Sequence, residues 1–261
     1  MDDISGPCDS WNFDNSTAEL RCGPLSGRVD VSHPELGLHQ LALGAQSFEA
    51  SLLCVRRCDE PTDDKTNRPR PWRVADAYVR GSDLVAAYQP SDDWPFSPQI
   101  YWQANAADTG ADRFSSLSLL VSVQTHLLET WPHISVESQV QSDEVLLLQS
   151  GPGKEAAVHS LAPGEELVLP PTTTGCVLQR LAGTPLSYAE IMPANDFREA
   201  AVCCSAEGVS RTKWRLFADF LEKGVIWRAR MQSLIVPRSN DVELTIAYCR
   251  AMDQRPLPLT T

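Results

Sequence analysis

Apolar and polar side chains alternate with a period of two along much of this chain, the pattern of strands with one buried and one wetted face. Segment 74–88 shows it most fully. Two β-favouring runs meet there at Gly81-Ser82, a two-residue connection suited to a type II′ turn because glycine accepts positive φ. Counting back from the turn sets Arg80 opposite Asp83, Val79 opposite Leu84, Tyr78 opposite Val85, Ala77 opposite Ala86 and Ala75 opposite Tyr88. One face then carries Ala75, Ala77, Val79, Leu84, Ala86 and Tyr88, fit for a core. The other carries Asp76, Tyr78, Arg80 and Asp83, fit for water or a ligand.

Residues 119–125 and 134–140 alternate in the same way and form a second candidate pair. Between them, the loop with Trp131 and Pro132 lies at one rim of the sheet. Further strands are expected at 27–31, 38–42, 48–55, 99–102, 144–149, 166–169, 176–181 and 225–231. Helical spacing occurs twice. Asn240 and Glu243 form an N-x-x-E cap ahead of an inward stripe of Leu244, Ala247, Tyr248 and Ala251. Trp214, Phe217, Ala218 and Leu221 repeat the spacing over 212–223, with Gly224 as a stop.

Short runs at regular intervals, separated by Gly, Pro, Asn and Asp, predict a mainly β protein. The expected architecture is a large antiparallel β-sandwich with one or two peripheral helices, in a single domain over 1–261. Segment 59–71 holds three prolines and no apolar residue, which makes it an exposed loop. No long period recurs, so repeat architectures find no support.

Composition narrows the function classes. The 261 residues are 43% hydrophobic and 21% charged, ordinary globular usage. Thirty-four acidic side chains against 22 basic ones leave a net charge of −12, which disfavours nucleic acid as a partner. No apolar run approaches a membrane span and no secretory leader opens the sequence, so a cytoplasmic protein without a membrane partner is expected. Eight cysteines lack the density of a disulfide-stapled domain and lack a second C-x-x-C or a Cys/His pair at ligand spacing; buried thiols are expected, with no metal and no cofactor. Vicinal Cys203-Cys204 is expected to end a strand as a small apolar pair.

Motifs for nucleotide binding, serine hydrolysis and zinc proteolysis are absent, and the five histidines are scattered. The candidate chemistry sits on strands. Tyr101-Trp102 follows a Trp94-Pro95-Phe96 loop and is flanked by Gln99 and Gln103, aromatic faces beside hydrogen-bonding groups that suit a sugar ring. Arg228 and Arg230 project from one side of their strand as a clamp for an anion or hydroxyls. Glu190 and Asp196 form a close pair of acids around Met192-Pro193, a pattern used in acid and base work and also in turn caps.

The stretches 76–102 (DAYVRGSDLVAAYQPSDDWPFSPQIYW), 119–138 (LLVSVQTHLLETWPHISVES) and 220–231 (FLEKGVIWRARM) resemble parts of a galactose mutarotase-like β-supersandwich in strand rhythm, over about half the chain. The resemblance implies a concave β face that binds carbohydrate and, for an active member, a His and Glu acid/base pair. His126 and Glu190 are the candidates for that pair by residue type. The expected function is binding of a small sugar or sugar acid, with Trp102 stacking, Arg80, Arg228 and Arg230 clamping, and Asp76 and Glu190 orienting hydroxyls. The alternatives are an aldose epimerase or isomerase using His126 or His133 with Glu190, and a noncatalytic protein-interaction module. Oligomeric state is left open.

Overall fold

The computed structural model describes residues 10–58, 71–108, 113–149, 157–172, 174–217 and 219–254, so all but Pro71 of the proline-rich segment lies outside the described residues. In chain order the strands are β1 (Ser10–Asp14), β2 (Thr17–Cys22), β3 (Leu25–Asp30), β4 (His39–Leu43), β5 (Gln46–Phe48) and β6 (Ala50–Arg57). They continue as β7 (Val74–Arg80), β8 (Asp83–Tyr88), β9 (Phe96–Asp108), β10 (Arg113–Thr125), β11 (Ile134–Gln149) and β12 (Ala157–Leu161). The last are β13 (Glu166–Leu169), β14 (Gly175–Leu181), β15 (Leu186–Met192), β16 (Glu199–Cys204), β17 (Val209–Phe217) and β18 (Trp227–Pro237), followed by a helix, α1 (Asp241–Gln254). The protein is a mainly β, antiparallel sandwich.

β1 to β5 form a meander in sequence order. The remaining strands are organised by β11, which is long enough to serve two layers. Its first half pairs with β17 and β6, giving a small sheet β13-β16-β17-β11-β6. Its second half pairs with β14 and β12, opening a large sheet that continues β15-β18-β10-β9-β8-β7. The inner faces of both layers meet in one core. Trp102, Leu119, Val121, Val177 and Tyr188 come from the large sheet, and Val136, Ala200, Val202 and Trp214 from the small one. The meander joins the same core through Leu20, Leu25 and Val29. It is pinned there by hydrogen bonds from Trp11 Nε1 to the Ser82 carbonyl (3.1 Å) and from the Tyr88 hydroxyl to the Val31 carbonyl (2.8 Å).

The β7–β8 hairpin keeps the expected register from Ala77–Ala86 to Arg80–Asp83. Gly81 takes a φ of +60° and Ser82 does not turn positive, as a type II′ turn requires. At its far end a bulge sets Val74, and not Ala75, opposite Tyr88. The expected pairing of 119–125 with 134–140 does not form. Both are strands, but β10 lies between β9 and β18, while the loop after it carries the chain across to the other layer. Alternation identifies a strand without naming its neighbour.

The second expected helix is also corrected. Residues 209–217 form β17, where Ser210, Thr212, Trp214 and Leu216 are buried while Arg211 and Lys213 are exposed and Arg215 is half-buried. That period of two overrides the coincidental helical spacing of Trp214, Phe217 and Leu221.

Helix α1 is where the cap pattern places it, but its stripe is rotated. Asp241, Thr245, Cys249 and Met252 are buried, whereas Ala247 and Ala251 are exposed and Leu244 and Tyr248 half-buried. The helix covers the outer face of the large sheet over Leu146, Leu148, Cys176, Leu178, Ala189, Ile191, Leu234 and Val236. The rotation follows from Asp241, which accepts hydrogen bonds from Ser187 Oγ (2.6 Å), from Arg180 Nε (2.9 Å) and from the Val242 amide (2.7 Å). Burial alone would raise the Asp241 pKa, but these bonds and the Arg180 charge outweigh it and hold the carboxyl below the usual aspartate value.

Its contribution to stability is therefore complete above the unfolded value near pH 4 and is lost as pH falls through the lower folded value. Asp241→Asn is expected to lower neutral-pH stability by about 1–2 kcal/mol and to flatten the acid limb of a urea-midpoint profile. An acid limb identical to that of the parent protein would contradict this.

Candidate functional site

The strand registers align the outward-facing side chains of β7, β8, β9, β10 and β18 into three rows. The first is Arg80, Asp83, Gln103, Ser118 and Gln232. The second is Tyr78, Val85, Tyr101, Leu120 and Arg230. The third is Asp76, Ala87, Gln99, Ser122 and Arg228. Because side chains alternate across a strand, all three rows lie on the face opposite the core. They occupy the part of the outer face that α1 leaves uncovered.

Four expected ligand residues, Asp76, Arg80, Arg228 and Arg230, thus share one face. They do not form one cluster. Asp76 and Arg228 end the same row, about 19 Å apart at the usual strand spacing. Arg80 reaches toward Asp83, 3.9 Å away, and is largely exposed. The denser chemistry is at the β18 end. Arg230 is held by Asp196, whose Oδ2 accepts from the Arg230 amide (3.0 Å) and from its Nε (2.9 Å). Arg228 is half-buried and has no ion-pair partner among the described residues.

Beside them the Tyr101 hydroxyl donates to Gln99 Oε1 (3.0 Å), Ser118 Oγ to Gln232 Oε1 (2.7 Å) and Gln103 Nε2 to Asp83 Oδ1 (2.9 Å). The face is a lattice of hydroxyl, amide and guanidinium groups around two tyrosine rings, Tyr78 and Tyr101, with donors and acceptors interleaved.

Trp102 and Glu190 lie elsewhere. Trp102 pairs with Leu84 and Leu119 on the inner face, is 1% exposed, and offers no ring face to a ligand. Glu190 is fully buried between the layers, where Oε1 accepts from the Tyr188 hydroxyl (2.9 Å) and Oε2 from Trp214 Nε1 (2.7 Å). Burial, and then the Glu190 charge, push the Tyr188 phenol far above its ordinary pKa, so it stays a donor.

His126 is exposed in the loop after β10, so it shares no solvent-accessible pocket with Glu190. His133 is half-buried at the other end of that loop, and its carbonyl accepts from the Cys58 amide (2.9 Å). The close acids separate by partner: Asp196 serves Arg230 and Glu190 serves Trp214 and Tyr188. Cys203 and Cys204 point to opposite faces of β16, Cys203 half-buried outward and Cys204 buried toward the core. Among the described residues no group of three or more metal-ligating side chains gathers.

Among the described residues the exposed aromatic rings are Tyr78, 40% exposed on the outer face, and two at the rim. Trp131 is 51% and Phe220 42% exposed, packed edge to face at 5.8 Å between ring centres. Their loops are joined by paired backbone hydrogen bonds between Thr130 and Leu221 (2.8 and 3.0 Å). Trp131 was legible from its place between Thr130 and Pro132; Phe220 was hidden by the helical spacing around it.

No family model matches the sequence, and no curated protein matches it. Among solved structures it is similar to a galactose mutarotase related enzyme from Lactobacillus acidophilus, at 10% identity and a TM-score of 0.47 over 87% of this chain and 97% of that one. It is similar also to a galactose mutarotase-like protein from Lactobacillus casei, at 12% identity and a TM-score of 0.48 over 87% and 99% of the two chains. At these identities and scores the likeness assigns no residue a role.

Proposed function

We propose that this protein binds a small carbohydrate on the outer face of its large sheet, at the β9–β10–β18 end. The observation that carries this reading is the juxtaposition of Gln99, Ser122 and Arg228 in one row beside Tyr101 and Arg230 in the next. Sugar recognition needs bidentate donors and hydroxyl acceptors next to an apolar ring face, and this end of the sheet combines them. Asp196 fixes Arg230, which leaves Arg228 as the guanidinium able to engage a ligand. Binding without turnover is favoured over epimerisation, because the buried Glu190 and the exposed His126 share no accessible pocket.

The test is calorimetric titration with neutral hexoses and with hexuronic acids. Arg228→Ala is expected to weaken the best ligand about 10-fold or more, and Asp76→Asn, at the far end of the row, to leave it unchanged. No heat from any sugar, or equal affinity in the parent protein and Arg228→Ala, would refute the proposal.

A second reading, a protein-interaction surface, is favoured by the rim. Trp131 and Phe220 pack together while exposed, and Leu128, at 75% exposure, and Ile226 are exposed in the same two loops, apolar surface of the kind that marks contact sites. If this rim self-associates, light scattering finds a dimer that the double change Trp131→Ser and Phe220→Ser converts to monomer. A monomer at all concentrations would count against that form of it.

A further inference from the structure

The outer face of the small sheet carries a second, unrelated concentration of charge. On β17 the three successive outward positions, Arg211, Lys213 and Arg215, are all cationic, in a protein whose net charge is −12. They stand about 7 Å from one another along the strand. Arg56 joins them from β6, across Ser135 from Arg215.

Two adjoining hollows of 400 and 330 Å³ lie over this face and share Lys213 and Ala201. The acids among the described residues do not fully neutralise it. Glu137 is divided between Arg56 Nε (3.2 Å) and Lys213 Nζ (3.3 Å), and Glu199 stands 3.8 Å from Arg215. Arg211 donates to an amide, Gln139 Oε1 (2.9 Å). With Glu166 at the edge, four cations face three carboxylates among the described residues. The registers set Glu137 opposite Lys213 and Glu199 opposite Arg215, exposed pairs that add little to stability, whereas Arg211 stands between Gln139 and Cys203 with no acid across from it.

We infer that this groove binds an extended ligand carrying repeated carboxylates, and that an acidic oligosaccharide is the class that fits. A single oxyanion would engage one of the three cations on β17. A chain with carboxylates about 6–13 Å apart would engage two or three at once and lie along both hollows. The site is independent of the one proposed on the large sheet, from which it is separated by the core.

The test uses the galacturonic acid trimer, with maltotriose as the neutral control and inorganic phosphate as the single-oxyanion control. In calorimetry the trimer is expected to bind the parent protein and Arg228→Ala equally, and to weaken 10-fold or more in Arg211→Gln/Lys213→Gln. Its binding is also expected to weaken as salt rises. Circular dichroism checks that the double variant, which changes only exposed side chains, remains folded. Bound trimer is expected to slow alkylation of Cys203, which lines the hollow beside Arg211, whereas maltotriose leaves the rate unchanged. The inference is overturned by no trimer binding, by binding equal in the double variant, by loss in Arg228→Ala instead, or by phosphate binding as tightly as the trimer.

Discussion

Trp214→Ala is expected to be among the most destabilising single changes in this protein, costing about 3–5 kcal/mol for the lost burial and the cavity together. Trp214 is fully buried on β17, with Phe197 packed edge to face against it at 5.2 Å. Its indole N–H is also one of two donors to the Glu190 carboxyl across the layers. Truncation therefore empties a large volume and leaves a buried acceptor without its partner, adding about 1–3 kcal/mol. Trp214→Phe separates the two effects by keeping most of the ring, and is expected to cost only the second amount. Urea unfolding with unchanged slope measures both. Both variants lack the indole N–H, so a Trp214→Phe protein as stable as the parent would show that the hydrogen bond contributes nothing separable, and equal losses for the two would contradict the cavity cost.

Gly37→Ala is expected to cost about 2–5 kcal/mol, although it adds one methyl group. Gly37 takes a φ of +61°, and a Cβ there would lie 2.3 Å from the Leu52 carbonyl oxygen and 2.8 Å from the Cys54 amide nitrogen. The carbonyl cannot retreat easily, because it accepts the Leu38 amide at 2.7 Å while the Leu52 amide donates back to Leu38 at 2.9 Å. That pair ties β6 to the segment leading into β4. Next to it, β6 bulges at Leu53, whose φ of +57° is held by a hydrogen bond from its amide to Ser138 Oγ (2.9 Å). The backbone there has no slack to give. A midpoint within experimental error of the parent protein would contradict this account.

Local rules were legible in the sequence where one turn or one face decided the outcome. Gly81-Ser82 specified the hairpin register, and alternation located most strands, including 166–169 to the residue. Neighbours across the sheets were not legible. β10 and β11 are consecutive, yet the Leu127–His133 connection carries the chain between layers, a consequence of packing that no local pattern encodes. Side-chain type also misled where parity was unknown. Trp102 and Glu190 suited a binding face by chemistry, but each lies an odd number of positions from an outward neighbour, Tyr101 and Ile191, and so faces the core. Arg228 and Arg230 were placed correctly on one side because their spacing of two needs no knowledge of the partner strand. The cationic run Arg211, Lys213, Arg215 had the same spacing, obscured by the helical spacing of Trp214, Phe217 and Leu221.

The proposed ligand surface is formed by the polar rows of β9, β10 and β18. The most direct measurement is NMR mapping of arginine side-chain and strand amide resonances during titration with the tightest-binding neutral sugar. The predicted result is a saturable shift of Arg228 Nε–Hε with Gln99, Tyr101 and Ser122, while the small sheet and the Trp131 rim stay still. Shifts confined to those other surfaces, or none at saturating sugar, would contradict it.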